Sequence, residues 1–368
     1  MPRVSVVLWS GLIAPWSLLV VFALPTPCFA EPSVALDVSG TVAVPENLTQ
    51  EALEAKLEEE RLLAEQRQFI YPLADQRVDI VGWLRTVEVT DAQDTLVDIG
   101  RRYKYGFDAI KAANPGVDPW LPEVGAVVTL PGEYVLPDAP RRGIVINVSE
   151  KRLYYYPVAA PGEEATVEIY AVSVGRGDWR TPLRTTRVTG MVKHPAWFPP
   201  ASVRAEHAAR GDELPTYVPP GPDNPLGDYV IRLAIPSYFI HGTNRENGVG
   251  MQVTHGCIRM YPVDIDRLAN SVPKRTPVHI VNQRYKVGWQ DGVLFLEAHP
   301  PLRGADDKED LGSRSLTRAL SVIRQASPEL VIDWPEVWAV QRAQRGIPMR
   351  IGQLAESGEQ EQELTLVD

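Results

Sequence analysis

The chain has 368 residues, enough for about two or three domains. It carries 37 basic and 47 acidic residues, a net charge of −10, which argues against a general nucleic-acid binder because such proteins present a basic domain or stripe. Hydrophobic residues at 44% and charged residues at 23% exclude wholesale disorder, and only two cysteines, Cys28 and Cys257, exclude a disulfide-stapled scaffold.

Residues 1–30 have the order of a secretory signal. Arg3 is followed by an uncharged, mostly apolar run over 4–24 and by small residues up to Ala30, the expected cleavage point. An uncleaved anchor is the alternative, since the run is just long enough to span a membrane. Cleavage leaves Cys257 as the one thiol of an exported protein. Residues 31–84 form an N-terminal segment with one helix over 49–67, where Glu, Ala, Leu and Arg dominate and Gly and Pro are absent.

Residues 85–132 read as a small α+β unit. A strand over 86–89 precedes a helix opened by Asp94-Thr95-Leu96, with Leu96, Ile99 and Tyr103 at helical spacing. A second helix over 107–113 stops at Asn114-Pro115-Gly116, and a strand over 126–131 closes the unit.

Residues 140–283 read as β-rich, in keeping with 33 prolines, which favour strands and ordered loops over a helical bundle. Strands are predicted over 142–148 and 151–156, a hairpin turning at Ser149-Glu150, then over 167–174, 229–234, 238–241 and 277–281. Residues 194–227 read as a long Pro- and Gly-rich loop, and 263–270 as one helix. Residues 284–368 form a C-terminal extension, partly helical. It has strand-like pieces over 285–297, Leu316, Leu320 and Ile323 at helical spacing, a helix start at Asp333-Trp334-Pro335-Glu336, and an acidic end.

Chemistry concentrates in two short runs. These are His241-Gly242-Thr243-Asn244 and Val253-Thr254-His255-Gly256-Cys257-Ile258-Arg259-Met260. A base or cation beside a thiol favours the reactive thiolate, and Cys257 lies between His255 and Arg259. Gly256 lets backbone approach the reacting centre, and N–H groups around Gly256-Cys257 suit an oxyanion. Cys257 as nucleophile with a histidine base is a coherent acyl-transfer site. Either His241 or His255 fits as the base, since position i−2 on an extended segment faces the same side as Cys257. Competing readings are weaker. A zinc site lacks a Cys-x-x-Cys pair and a third ligand at a recognisable spacing. Gly175-x-Gly177 lacks the helix-opening partner of a phosphate loop. His194, His207, His279 and His299 have no partner pattern and read as surface or packing residues.

The two runs resemble the signature of the L,D-transpeptidase (YkuD) family, with 16 positions between 241 and 257. Gly175-Arg176-Gly177…Thr181-Pro182, Pro195-Ala196-Trp197-Phe198-Pro199-Pro200 and Gly221-Pro222-Asp223-Asn224-Pro225-Leu226-Gly227 are similar to further elements of that family. Residues 85–132 resemble a LysM module at Asp94-Thr95-Leu96, Ile99-Gly100-Arg101-Arg102-Tyr103 and Ala113-Asn114-Pro115. The order of modules looks like the ErfK/YbiS/YcfS/YnhG-type enzymes of the Gram-negative periplasm.

The resemblance implies a mainly β catalytic domain, a mixed sandwich or barrel with a short helix. A small LysM-like βααβ domain and helical N- and C-terminal extensions would accompany it. It implies that Cys257 attacks a peptidoglycan tetrapeptide stem, releases D-Ala and passes the acyl group to an amine. The amine would be a lysine of an outer-membrane lipoprotein or meso-diaminopimelate. His241 would be the proton donor and acceptor, Thr243 would help place its ring, and His255 and Gly256 would shape the nucleophile loop. Arg259, Trp197 and Thr254 would meet substrate. Thioester chemistry implies no cofactor and no metal. Water in place of the amine would make a carboxy- or endopeptidase, and a non-catalytic wall-binding protein is the rival of another class.

Overall fold

A computed structural model describes residues 69–74, 78–304 and 311–355. The expected signal (1–30), the helix over 49–67 and the acidic end lie outside the described residues. Among the described residues no helix is long and apolar enough to cross a membrane.

The chain opens with β1 (Ile70–Pro72) and β2 (Ile80–Gly82), which the sequence reading did not anticipate. Each is three residues long, too short to show alternation, and each is set by its partner rather than by its own pattern. Next come β3 (Arg85–Glu88), α1 (Leu96–Arg102), α2 (Phe107–Ala113), β4 (Val127–Leu130) and β5 (Glu133–Val135). β3 pairs antiparallel with β4, and β2 with β5. The order strand, helix, helix, strand over 85–130 is therefore present. Thr95 caps α1 through a reciprocal box with Asp98, satisfying two N–H groups that the first turn leaves free. Leu96, Ile99, Ile110, Val128 and Leu130 form the unit's core. Asn114 ties α2 to β4. Its amide donates to the Ile110 carbonyl at 2.8 Å and the Thr129 carbonyl at 2.9 Å, and its oxygen accepts the Thr129 N–H at 2.7 Å.

The main sheet uses β6 (Gly143–Asn147), β7 (Arg152–Tyr156), β8 (Thr166–Gly175) and β9 (Arg184–Lys193). After a long excursion holding α3 (Ala201–Ala208) come β10 (Tyr229–Leu233), β11 (Phe239–His241), β12 (Gln252–Thr254) and β13 (Ile258–Met260). α4 (Pro262–Ser271) and β14 (Pro277–Val281) complete it. The pairing runs β8, β13, β11, β10, β9, β14, β6, β7 and back to β8, so the sheet closes into a barrel. β1 and β12 attach at β8.

Side chains alternate across the barrel wall as a period of two requires. Ile144, Ile146, Leu153, Tyr155, Tyr170 and Val172 join the inner core with Ile265, Leu268 and Ala269 of α4. Val145, Tyr154, Tyr156, Val167 and Ile169 face outward into a second core with Tyr71, Val81 and Tyr134. Both faces are buried, which explains why these strands read as nearly continuous apolar runs. β12 and β13, three residues each, are not among the predicted strands, and two longer features also depart from the sequence reading. β9 was not expected, because its exposed threonines and Gly190 blur the alternation. The 194–227 loop contains α3.

The C-terminal extension is α+β rather than helical alone. The strand-like pieces over 285–297 and both helix signals are present, and two further strands join them. β15 (Tyr285–Gln290), β16 (Val293–Ala298), α5 (Leu311–Ala326), β17 (Leu330–Ile332), α6 (Trp334–Ala343) and β18 (Pro348–Leu354) occur in that order. The sheet runs β15-β16-β18-β17 and packs Leu294, Leu296 and Ile351 against Leu316, Leu320, Val337 and Val340. β18 has no clear alternation of its own, since Pro348 opens it and Gly352 interrupts it; the pairing with β16 supplies what its own pattern lacks.

A buried charge cluster joins this tail to the barrel. Lys286 places its ammonium 2.8 Å from Glu150 and 3.0 Å from Glu297. The Arg152 guanidinium lies 3.0 Å from Glu150 and 2.5 Å from Glu297. Glu297 also accepts the Val135 N–H at 2.7 Å and lies 2.8 Å from His299 Nε2. His299 is thus a buried member of an ion network rather than a surface residue. Burial pushes the Glu297 carboxyl up, but Lys286 and Arg152 outweigh it and hold that carboxyl well below the usual range. Two buried carboxylates, Glu150 and Glu297, thus face two fixed cations, Lys286 and Arg152. Lys286→Met leaves one cation for two buried carboxylates. It is expected to cost about 3–5 kcal/mol in urea unfolding; a loss under about 1 kcal/mol would show that the cluster does not hold the tail.

Candidate active site

β11 and β13 pair parallel, with Ile240 opposite Ile258 and His241 opposite Arg259. Ile240 and Ile258 both lie in the inner core. The neighbours at one residue's remove therefore face the other way, so His241 and Arg259 share the outer face of the barrel. Cys257 stands two positions before Arg259, immediately ahead of β13, and the alternation of that strand carried back one residue turns it to that face too. One register thus brings together residues 16 positions apart in sequence.

His241 is buried. Its Nδ1 lies 2.7 Å from the Gly242 carbonyl oxygen, which can only accept, so Nδ1 carries the proton and Nε2 keeps its lone pair. Burial, and then the Arg259 cation, push the imidazole down to about 4, so it is a neutral base at ordinary pH. Cys257 is half-buried and free. Its Sγ–H donates to the Ser237 carbonyl at 3.5 Å. Burial pushes the thiol up, opposed by the Phe239 backbone N–H and by Arg259. The resting site is a neutral thiol with a neutral imidazole.

The loop before Cys257 is tightly made. Gly256 has φ +101°, and a Cβ there would meet a Tyr238 ring carbon at 2.7 Å. A side chain is therefore excluded on both counts. The Thr254 hydroxyl donates to the Cys257 carbonyl at 2.6 Å and accepts the Gly256 N–H at 3.2 Å. Thr181 braces the same loop. Its hydroxyl donates to the Gly256 carbonyl at 2.9 Å and accepts the Gly175 N–H at 2.9 Å. A Cβ on Gly175 would meet the Trp179 carbonyl oxygen at 1.9 Å and Gly256 Cα at 2.9 Å. The Gly175…Thr181 element noted in the sequence is thus the clamp on the Cys257 loop.

Several expected site residues occupy different places. Thr254 is buried inside the loop, with its hydroxyl engaged there rather than turned to substrate. The Gly256 N–H, expected at the oxyanion site, is engaged by Thr254. Thr243 accepts the Arg245 N–H at 2.9 Å, while the His241 ring is held by Gly242. Trp197 pairs with Val218 and braces the long 194–227 excursion. Arg259 is largely buried, and its Nε has no hydrogen-bond partner among the described residues. His255 turns its Nε2 to the Glu206 carboxylate at 2.9 Å, with Trp179 edge-on to its ring at 5.0 Å. Each histidine thus has one ring nitrogen engaged, Nδ1 in His241 and Nε2 in His255, and His241 is the one that shares the outer face with Arg259 across the strand pair. Glu206 was not anticipated. Pro200 followed by Ala-, Arg- and Glu-rich residues was the available signal for α3, hidden among the prolines of the loop.

A thiol, a neutral imidazole and a cation on one face of a closed barrel make a cysteine-dependent acyltransferase. Residues 141–280 match the L,D-transpeptidase catalytic domain of the YkuD family. The chain is 41% identical over 263 residues to the Probable L,D-transpeptidase YcfS of Escherichia coli, covering 70% of this chain and 81% of that protein. It is 41% identical over 235 residues to the Probable L,D-transpeptidase ErfK/SrfK of the same species, covering 63% and 74%. To the Probable L,D-transpeptidase YbiS, also of Escherichia coli, it is 34% identical over 259 residues, covering 69% and 83%. The chain belongs to the L,D-transpeptidase (YkuD) family.

The neutral resting pair has a consequence for reactivity. Alkylation follows the thiolate, so the rate at Cys257 should climb steadily from about pH 6 to about pH 9. A flat rate across that range would instead mean a preformed thiolate–imidazolium pair.

Proposed function

We propose that the protein acylates Cys257 with a peptidoglycan tetrapeptide stem and transfers the acyl group to an amine. The observation that carries this reading is the shared face of His241 and Cys257 across the parallel pair, with the His241 Nε2 lone pair free. In the first step Cys257 Sγ bonds to the carbonyl carbon at the L-centre of meso-diaminopimelate. The thiol proton passes to His241 Nε2 and on to the leaving amine, and the C–N bond to D-Ala breaks. In the second step an acceptor amine attacks the thioester, His241 takes its proton, and the C–S bond breaks to restore the thiol. The Cys257 backbone N–H stabilises the oxyanion of both steps. Arg259, a largely buried cation on the same face, pairs with a carboxylate of the stem.

The acceptor is a lysine of an outer-membrane lipoprotein or a second stem's diaminopimelate. The named relatives are L,D-transpeptidases, which supports transfer over hydrolysis. The βααβ unit serves as a LysM-like glycan-binding module, with exposed Trp120 and Leu121 on its surface. The signal-like residues 1–30 support a periplasmic location.

The test is incubation of wild type and Cys257→Ala with tetrapeptide muropeptides, with and without a lysine-ended lipoprotein peptide, followed by mass spectrometry. Loss of D-Ala with a new amide is expected in wild type only, and the amine joined names the acceptor. Loss of D-Ala to water alone would make the protein a carboxypeptidase, and no Cys257-dependent product would favour a wall-binding scaffold. His241→Gln should lower kcat by about 10²–10⁴-fold, as loss of a general base does. A tenfold or smaller effect would place the base elsewhere.

A further inference from the structure

A second charged cluster lies beside Cys257, outside the groups the proposed reaction uses. The Arg176 backbone N–H donates to the Thr254 carbonyl at 3.0 Å, which fixes Arg176 against the nucleophile loop. Its guanidinium Nη2 stands 3.3 Å from His255 Nε2. Both groups converge on one carboxylate, that of Glu206, paired with Arg176 and 2.9 Å from His255. The Arg210 guanidinium adds a second cation at 3.5 Å. Arg176, and then His255, hold the Glu206 carboxyl down to about 2, so it is an anion at any ordinary pH.

The carboxylate comes from a weakly anchored element. α3 has no side-chain N-cap, and Val203 is its one buried residue. It sits in the excursion between β9 and β10, which are neighbouring antiparallel strands that a short turn could have joined. The helix does little for the barrel core, whereas its Glu206 reaches across to the nucleophile loop. The cluster is also lopsided. Arg176 and Arg210 together face a single carboxylate, while the nearby Asp212 is taken by His207 at 2.8 Å. Arg176 and Glu206 are both partly exposed, so the pair is open to exchange with an anion from solution.

We propose that Arg176 and His255 form a carboxylate-binding subsite beside Cys257. Glu206 occupies it when no substrate is bound, and a carboxylate of the stem peptide displaces Glu206 on binding. This rests on the tetrapeptide reading above and adds to it a second anion contact besides Arg259. Replacing one carboxylate by another keeps the charge-assisted hydrogen bonds, so the substrate competes only with the tether of α3. α3 is then a lid that a free acid opens and an amide does not. The rival is that Glu206 merely positions His255.

The experiment measures binding, so it does not depend on turnover. In the full-length Cys257→Ala protein, calorimetry compares the free-acid tetrapeptide with three analogues. In each, one carboxylate (of D-Glu, of the diaminopimelate side chain, or of D-Ala) is converted to the carboxamide. One of these amides should bind about tenfold more weakly, as loss of a charge-assisted contact implies. Adding Arg176→Gln should make that amide and the acid bind alike, and Arg176→Lys should keep part of the difference, which guards against misfolding of the first variant. Adding Glu206→Gln should tighten the acid by a few fold and keep the discrimination. Discrimination that survives Arg176→Gln, or acid binding unchanged or weakened by Glu206→Gln, would overturn the subsite and leave Glu206 as a positioning residue. If no amide is discriminated while Cys257-intact enzyme still releases D-Ala, the subsite fails and the functional reading stands.

Discussion

The site depends on one parallel pairing in a barrel whose neighbouring strands mostly run antiparallel. β11 and β13 are joined by a segment long enough for a crossover, and that segment carries β12 and the nucleophile loop. Antiparallel strands would have needed only a hairpin. The crossover gives the chain room to build a loop beside its own catalytic strand. The register then does the rest. Ile240 and Ile258 anchor the two strands in the inner core, so His241, Cys257 and Arg259 are turned outward together. A slip of one residue would turn the reacting groups into the inner core and the isoleucines out of it, which ties the chemical geometry to the hydrophobic core.

Around that pair the protein supplies constraint rather than charge. The Gly242 carbonyl sets the imidazole tautomer, and burial keeps the ring neutral. Thr181 and Thr254 hold the Cys257 loop through four hydrogen bonds to backbone groups, counting both roles of each hydroxyl. Such loops are accurate because small hydroxyl side chains bond locally and lose little freedom in doing so. A neutral thiol is also less easily oxidised than a standing thiolate.

Much of this was legible in the sequence, for physical reasons. Strands buried on both faces, such as Ile144-Val145-Ile146 and Leu153-Tyr154-Tyr155, announce themselves as apolar runs. The capping signal at Thr95 and the stop at Asn114-Pro115-Gly116 mark the βααβ unit. The pairing of Cys257 with a histidine followed from chemistry and spacing, whereas the choice between His241 and His255 did not. The ring partners of the two histidines, Gly242 and Glu206, are named by no local pattern. The three-residue strands β1, β2 and β17 are defined by their neighbours and carry no period of their own. In the tail, β17 and β18 and the sheet they complete stayed hidden for the same reason. That sheet is long-range, and the ion cluster that joins it to the barrel draws Glu150, Arg152, Lys286, Glu297 and His299 from two distant stretches of chain.

The proposed reaction requires that Cys257 itself become acylated by the stem peptide. Intact-protein mass spectrometry after brief mixing with a tetrapeptide muropeptide tests it most directly. The expected result is a mass increase equal to the muropeptide minus D-Ala, mapped to Cys257 and removed by hydroxylamine as a thioester should be. A new amide product formed without any adduct at Cys257, or an adduct that persists in Cys257→Ala, would contradict it.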